Sequence, residues 1–155
     1  MPRTSAGPSS TQVFGNAVVG GSSIAVGSPT NMARICHAMI SGEIKKIEID
    51  LTVDLFSRRA INIPAILMGA IFGSQTGDVE MYHHIFEKPE MKSIEIKINK
   101  IDQPEVQRIR IEATGTSAMV DARNRGGGRV AIIDAQPSKE EALLAAKKLG
   151  IEVAG

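Results

Sequence analysis

The chain has 155 residues, of which 43% are hydrophobic and 23% charged, and its net charge at neutral pH is +1. This composition is ordinary for one globular domain, and the near-neutral charge excludes attraction of a polyanion by a strong overall field. Aromatic residues make up only 3% of the sequence, which disfavours nucleic-acid binding by base stacking. We therefore expect a single folded domain for which nucleic acid is not the favoured partner.

The single cysteine, Cys36, excludes an internal disulfide, and it excludes a cluster or zinc site that needs several thiolates from this chain. Cys36 lies on an apolar helical stripe, so we expect an unreactive buried thiol. We recognise no signal peptide and no apolar run of the roughly 20 residues that a membrane span requires. The expectation is a soluble, cytoplasmic protein with no membrane partner.

The first part of the chain is rich in small and polar residues. Residues 1–11 are expected to form a flexible arm, followed by a single domain at 12–155. A short strand is predicted at 13–19, and the Gly/Ser-rich segment 20–27 is predicted to be a turn.

Three helices and a strand are predicted next. Ser28-Pro29 is typical of a helix start, and apolar residues then recur at helical spacing up to Gly42. Strict alternation of apolar and charged residues predicts a half-buried strand at 46–53. Asn62-Ile-Pro64 is predicted to open a second helix, and residues 65–72 are apolar nearly all round, which predicts a position at the centre of the core. A shorter helix is predicted at 78–88.

The second half of the chain is predicted to be mostly strand. Alternating residues predict strands at 94–98 and 106–111, and an apolar run predicts another at 130–134. Ser138 opens a capping-box pattern, so a final helix is predicted from there to Gly150. The order of elements predicts an α+β fold, in which a mixed or antiparallel sheet carries its helices mainly on one face.

Three consecutive glycines, flanked by arginines, lead into the last predicted strand. Glycine has no Cβ, so successive backbone N–H groups can approach and turn toward one anion. Guanidinium groups beside them would supply paired donors to a carboxylate or phosphate. The alternative is a flexible hairpin tip with solvated arginines. The residues predicted to contact a ligand here are Asn124, Arg125, Gly126, Gly127 and Gly128.

Two further segments are candidates for anion binding. Backbone amides and hydroxyls precede the first helix, where the helix dipole favours negative charge, although Ser28 could simply cap that helix. The residues predicted to bind there are Gly21, Ser22 and Ser23. Arg58 and Arg59 follow a strand and could clamp a carboxylate, or they could be solvated loop residues.

No metal site or catalytic set is predicted. His83 and His84 are adjacent, so both cannot face one ligand from a helix, and surface positions are favoured. Arg108, Arg110 and Glu112 alternate along a strand and are expected on the exposed face of the sheet. Catalytic residues stay unassigned, because nothing in the pattern marks a nucleophile with its base.

Glycine-containing segments follow one another in a recognisable order. They are Gly21-Ser-Ser-Ile-Ala-Val-Gly27, Gly42-Glu43, Gly69-Ala-Ile-Phe-Gly73 and Asn124-Arg-Gly-Gly-Gly-Arg-Val130. In order and spacing, residues 13–134 resemble the β chain of iron–sulfur-dependent bacterial L-serine dehydratases, whose fold is often called the allosteric substrate-binding domain. The chain departs from the family at Val26, which replaces the His of the GPSSSHT loop. It also departs at Arg59-Ala-Ile-Asn-Ile63, which replaces GHGTD.

The resemblance implies a ligand-binding scaffold without the family's catalytic side chains. The implied function is a binding domain or accessory subunit of a lyase. Its ligand would be a small amino or hydroxy carboxylate, and the chain would not be catalytic alone. The ligand would lie between the Ser22-Ser23 loop and the Gly126–Gly128 hairpin. Any iron–sulfur cluster would come from a separate α chain, and a homo-oligomer is expected.

Three other functions remain open on the sequence. A stand-alone enzyme could use Asp54 or His37 as a base, with substrate held by Arg58, Arg59 and Arg125. Nucleic-acid binding could use the arginines of the last strands, although scarce aromatics count against it. Those arginines are Arg108, Arg110, Arg123, Arg125 and Arg129. An assembly protein could associate through strand edges and the apolar helix at 64–72.

Overall fold

A computed structural model describes residues 27–74, 84, 87–103 and 106–154. Five strands within these residues form one mixed sheet: β1 (Ile44–Thr52), β2 (Glu95–Ile101), β3 (Val106–Ala113), β4 (Ala118–Asn124) and β5 (Val130–Gln136). The helices are α1 (Gly27–Ala38), α2 (Val53–Ser57), α3 (Arg59–Phe72) and α4 (Lys139–Leu149), with short 3-10 segments at Pro89–Ser93 and Gly126–Gly128. The expected α+β fold is confirmed.

Most predicted elements are present, with shifted ends. The predicted arm at 1–11, the strand at 13–19 and most of the helix at 78–88 lie outside the described residues. Helix α3 begins at Arg59 and contains Pro64, rather than opening at Asn62. Strand β4 was not predicted. Its sequence, AMVDARN, does not alternate cleanly, and its first three residues are all buried.

The sheet order is β2-β1-β3-β4-β5, with β1 and β2 parallel and every other pair antiparallel. The register places the ends of β1 and β4 and the starts of β3 and β5 at one end of the sheet. We call it the hairpin end, because the β4–β5 hairpin, Arg125–Arg129, lies there. The short helix α2 and the start of α3 follow β1 directly, so they lie at this end as well.

The core fills the space between one face of the sheet and the helices. Alternate residues of β1 and β3, such as Ile49 and Ile109, are fully buried on this face. Most of α3 is buried, as predicted. Its buried apolar residues pack inside the chain, so they are not available as a surface for association with a second copy. Cys36 of α1 is also fully buried, with its Sγ 3.7 Å from the carbonyl oxygen of Ile109. Burial raises the pKa of the Cys36 thiol to about 12, so the thiolate required for reaction is disfavoured.

Helices α1 and α3 approach closely at a glycine. A Cβ on Gly69 would lie 2.6 Å from the carbonyl oxygen of Thr30 and 3.0 Å from the Cβ of Ala33. Further along α1, His37 Nδ1 lies 2.8 Å from the carbonyl oxygen of Ala70, in the last turn of α3. No helix in the described part of the chain is long and apolar enough to cross a membrane.

The other face of the sheet carries charged side chains that pair across strands. Arg108 of β3 reaches Asp50 of β1 at 3.4 Å and Asp121 of β4 at 3.2 Å. Arg110 lies 3.5 Å from Glu48, and the amide of Asn99 donates to both Glu48 and Asp50, at 3.0 and 2.7 Å. These contacts place Arg108 and Arg110 on the outer face, as expected, but half-buried in ion pairs.

Gly69→Ala should lower the stability of the fold. The new Cβ would press on a backbone carbonyl, and overpacking of this kind typically costs about 1–3 kcal/mol, which exceeds the gain of up to about 1 kcal/mol in helix propensity. Urea unfolding measures the change. Gly126→Ala is the matched control, because a Cβ there meets nothing within 4 Å. Equal stability of the two variants would contradict the close approach of α1 and α3.

Glu48→Gln should reduce the loss of stability in acid. The hydrogen bond from Asn99 lowers the pKa of Glu48, and Lys97, Lys46 and Arg110 lower it further against partial desolvation. A carboxyl whose pKa is depressed in the folded state stabilises the fold above its unfolded pKa, about 4.3 for Glu, and loses that contribution as pH falls through the folded pKa. Urea midpoints between neutral pH and pH ~3 should therefore fall less steeply in Glu48→Gln than in the parent.

The exposed residue Glu112 on the neighbouring strand supplies the control. Glu112→Gln removes one exposed carboxylate from the same pair of strands and gives the baseline with which the effect of Glu48→Gln is compared. An acid dependence that is the same in Glu48→Gln as in the parent would show that the outer-face contacts of Glu48 do not stabilise the fold.

Candidate functional site

Buried polar side chains gather at the hairpin end of the sheet. They come from the first turns of α1 and α3, from the last residues of β1 and β4, and from the start of β3. Within the described residues they are Ser28, Thr30, Asn31, Thr52, Asn62, Gln107 and Asn124. Burying a polar group is unfavourable unless it is hydrogen-bonded. A concentration of such groups at one end of a core otherwise made of apolar side chains marks that end as the candidate site.

The first turn of α1 is joined to the β4–β5 hairpin by side-chain hydrogen bonds. Ser28 Oγ accepts from the backbone N–H of Arg125 at 3.2 Å, and its own proton faces the carbonyl oxygens of Arg125 and Arg129. Asn31 Nδ2 donates to the carbonyl oxygen of Gly128 at 2.8 Å. The prediction that Ser28 caps the helix is therefore replaced by a different role, since these contacts hold the hairpin.

Two glycines of the triplet are favoured by their backbone conformation. Gly127 and Gly128 have φ of +72° and +77°, a region that favours glycine, whereas a Cβ on Gly126 or Gly127 would meet nothing within 4 Å. The guanidinium of Arg129 folds back, and its Nε donates to the carbonyl oxygen of Gly126 at 2.9 Å. The hairpin tip is thus a defined turn with open space above two of its glycines.

Two buried amides lie beside each other just beneath the hairpin. Asn124 Nδ2 donates to Gln107 Oε1 at 2.9 Å. The remaining atoms of this pair, the Gln107 Nε2 donor and the Asn124 Oδ1 acceptor, are buried and have no hydrogen-bond partner within the described part of the chain. Exchanging N and O in both amides would again leave one donor and one acceptor. A buried unsatisfied group of this kind typically costs about 1–3 kcal/mol, so a ligand that satisfied both would bind with a corresponding gain.

A third unsatisfied amide lies nearby at the same end. Asn62 of α3 donates through Nδ2 to the carbonyl oxygen of Leu55 at 2.9 Å, and its Oδ1 is buried with no partner among the residues that the structure describes. Leu55 follows β1 by three residues, and Asp50 near the end of β1 pairs with Arg108, the residue after Gln107. The hairpin end therefore offers several unused polar atoms on the helix-covered face of the sheet.

Arg58 and Arg59 lie at the hairpin end but not at the hairpin. Both are exposed, and the guanidinium of Arg59 stacks on the ring of Phe56 at 4.5 Å and donates to its carbonyl oxygen at 3.0 Å. Lys100 of β2 lies 5.8 Å from the same ring. This group adjoins β1 and β2, whereas the hairpin follows β4, two strand spacings or about 10 Å from β1. The structure therefore does not bring Arg59 onto the glycine hairpin.

The remaining candidates divide between the described and undescribed parts of the chain. Gly21, Ser22, Ser23 and His83 lie outside the described residues. The chain enters the described part at Gly27, beside the hairpin. His84 is exposed, with Nδ1 3.0 Å from a carboxylate oxygen of Glu87. Among the described residues no three His, Cys, Asp or Glu side chains are grouped as metal ligands would be.

The two candidate bases lie far apart. Asp54 of α2 is exposed at the hairpin end. His37 contacts Ala70, 11 residues along α3 from Arg59, which is about 16 Å at the rise of a helix. A catalytic set that combines His37 with Arg58 or Arg59 is therefore not assembled.

Comparison of the chain with protein-family models, with curated proteins and with solved structures gave no match. The functional assignment accordingly rests on the geometry of the hairpin end.

The sequence analysis did not single out Gln107 as a site residue, although its position in the strand pattern could have indicated it. Gln107 occupies the apolar phase of β3, two residues before Ile109 and four before Ile111, both fully buried. A polar residue in the buried phase of an alternating strand indicates a core hydrogen bond or a site. Asn124 occupies the same phase as Val120 and Ala122 in β4, but β4 itself was not predicted.

Ser28→Ala should destabilise the fold by about 1–3 kcal/mol, because it removes the hydrogen bonds that the hydroxyl makes to part-buried backbone groups of Arg125 and Arg129. Urea unfolding measures the loss. Ser57→Ala is the control, since Ser57 is exposed and its hydroxyl contacts only the nearby carbonyl oxygen of Asp54. Equal small effects of both substitutions would show that Ser28 does not hold the hairpin.

Proposed function

We propose that the chain is a binding domain or accessory subunit for a small amino or hydroxy carboxylate, in a lyase that resembles the L-serine dehydratase β chain. The observation that carries this proposal is the Gln107–Asn124 pair, with its buried unpaired donor and acceptor beneath the first turn of α1. The proposal places the chain in the cytoplasm, where an unpaired thiol such as Cys36 stays reduced.

The donor and acceptor match the two functional groups of such a ligand. A carboxylate oxygen would accept from Gln107 Nε2, with further stabilisation from the positive end of the α1 dipole. The neighbouring amino or hydroxyl group would donate to Asn124 Oδ1. Both protein atoms are buried, so the ligand would reach them only after a local opening of the surrounding chain. We therefore expect binding that is selective for ligands carrying both groups.

The proposal assigns no turnover to this chain alone. A cluster needs several cysteine thiolates, whereas the single Cys36 is buried in the core with its pKa raised to about 12. An iron–sulfur cluster therefore does not fit this chain, and in the proposed assembly a separate α chain supplies it. No step of a reaction is assigned to residues of the hairpin end.

A thermal-shift titration tests the binding. The panel contains amino acids and hydroxy acids, together with matched carboxylates that lack the amino or hydroxyl group and matched amines that lack the carboxylate. Bifunctional ligands should stabilise the chain saturably, by about 2.7 kcal/mol at a concentration a hundredfold above Kd. Ligands with only one of the two groups should bind at least about tenfold more weakly, which corresponds to one lost hydrogen bond of about 1.4 kcal/mol.

The double variant Gln107→Leu/Asn124→Leu locates the ligand. Replacing both partners of a buried hydrogen bond by apolar groups of similar shape is often nearly neutral for stability, so this variant should fold and lose the ligand-induced shift. Gln136→Leu, on an exposed residue of β5, is the control and should keep it. A panel without any stabilising ligand would overturn the binding function. A shift that persists in the folded double variant would place the ligand elsewhere.

A further inference from the structure

The outer face of α4 leaves two leucines exposed to solvent. Leu143 and Leu144 are 40% and 52% exposed, while the alanines on the opposite face of the same helix are buried in the core. Beside Leu144, a groove of about 400 Å³ runs between α4 and the end of α1. Met39, Ala145 and Leu149 are among the apolar residues that line it. An apolar side chain and an apolar groove at one place on the surface form a surface suited to a protein partner.

Four exposed charges frame Leu144 in a regular pattern. Residues seven apart lie nearly on one line along a helix, so Glu140 and Lys147 lie on one side of Leu144, and Glu141 and Lys148 lie on the other. Each line is acidic before Leu144 and basic after it. The pattern is therefore reversed when the helix is turned end over end.

These charges have no ion-pair partner within the described part of the chain. The positions three and four residues after the two glutamates are Leu143, Leu144 and Ala145, so no lysine lies within reach along the helix. The carboxylate of Glu141 contacts only the hydroxyl of Ser138, at 3.5 Å. An acidic first turn and a basic last turn also complement the helix dipole, but the dipole accounts for neither the exposed leucines nor the groove.

We propose that two copies of this chain associate through α4, with the two helices antiparallel about a twofold axis at Leu144. Leu144 then packs against Leu144 of the second copy. Glu140 faces Lys147 of the second copy, and Glu141 faces Lys148. The twofold axis repeats each contact, as in any isologous interface, so four ion pairs surround the two leucines.

The area of the proposed α4 interface sets the expected affinity of the dimer. A stable interface buries about 800 Å² on each partner, and one 11-residue helix with its adjoining groove supplies less than that. We therefore expect a reversible dimer whose population rises with protein concentration. Added salt should weaken it, because the ion pairs lie at the rim of the contact and are screened.

Two charge-swap variants test the antiparallel pairing by sedimentation velocity. Lys147→Glu/Lys148→Glu makes all four framing charges acidic, and Glu140→Lys/Glu141→Lys makes them all basic. Each variant alone should dimerise at least about tenfold more weakly than the parent, since like charges then face each other. An equimolar mixture of the two should form a heterodimer, because every facing pair becomes opposite in charge. Circular dichroism checks that both variants are folded.

Replacing an exposed apolar residue by glutamate tests whether the dimer forms through α4 or through another part of the surface. Leu144→Glu should abolish the dimer, whereas Val53→Glu, at a residue that is 50% exposed on α2, should leave it unchanged. A parent chain that stays monomeric at millimolar concentration would overturn the proposal. So would a mixture of the folded charge-swap variants that forms no heterodimer, or a dimer that survives Leu144→Glu.

Discussion

The arrangement of the hairpin end depends on one hydroxyl group. Ser28 Oγ joins the first turn of α1 to both sides of the β4–β5 hairpin, across 97 residues of sequence at Arg125. Gly69 admits the backbone of Thr30 two residues further along α1, so the helix is also fixed against α3. With these contacts on either side, α1 cannot slide along the sheet without losing buried hydrogen bonds or overlapping a backbone. Its first turn is thereby held above Asn124 and Gln107.

The polar side chains on the two faces of the sheet differ in how fully they are hydrogen-bonded. On the outer face Asp50 and Asp121 share the guanidinium of Arg108, and of their four carboxylate oxygens one, Oδ1 of Asp121, is buried with no hydrogen-bond partner among the described residues. On the inner face the Gln107–Asn124 pair keeps a donor and an acceptor side by side, so two of its four polar side-chain atoms have no partner among the described residues. Natural cores rarely retain unsatisfied amides without a compensating role. The inner face at the hairpin end is therefore where an added ligand would gain most.

Local patterns predicted the elements whose faces differ in exposure. The alternation of β1 and β3 was readable, and so was α4, where Ser138 accepts from the N–H of Glu141 and Gly150 ends the helix with φ of +73°. Strand β4 was not readable because its buried face carries the small or polar residues Ala118, Ala122 and Asn124, while the apolar Met119 is buried on the other face. The contacts within the candidate site could not be predicted from the sequence either. Ser28 and the hairpin meet only through tertiary packing, and the stacking of Arg59 on Phe56 depends on how α2 turns into α3.

The hairpin is held at its base from two directions, and this limits how a ligand could enter. Ser28 and Asn31 bind one side, while Val130, the first residue of β5, exchanges backbone hydrogen bonds with Glu152 and Ala154 on the other. At the tip, a Cβ on Gly126 or Gly127 would meet nothing within 4 Å among the described residues. Opening the base would break several buried hydrogen bonds together, whereas displacing the tip would break few. Access to the amide pair is therefore favoured past the tip and the first turn of α1, where the chain enters at Gly27.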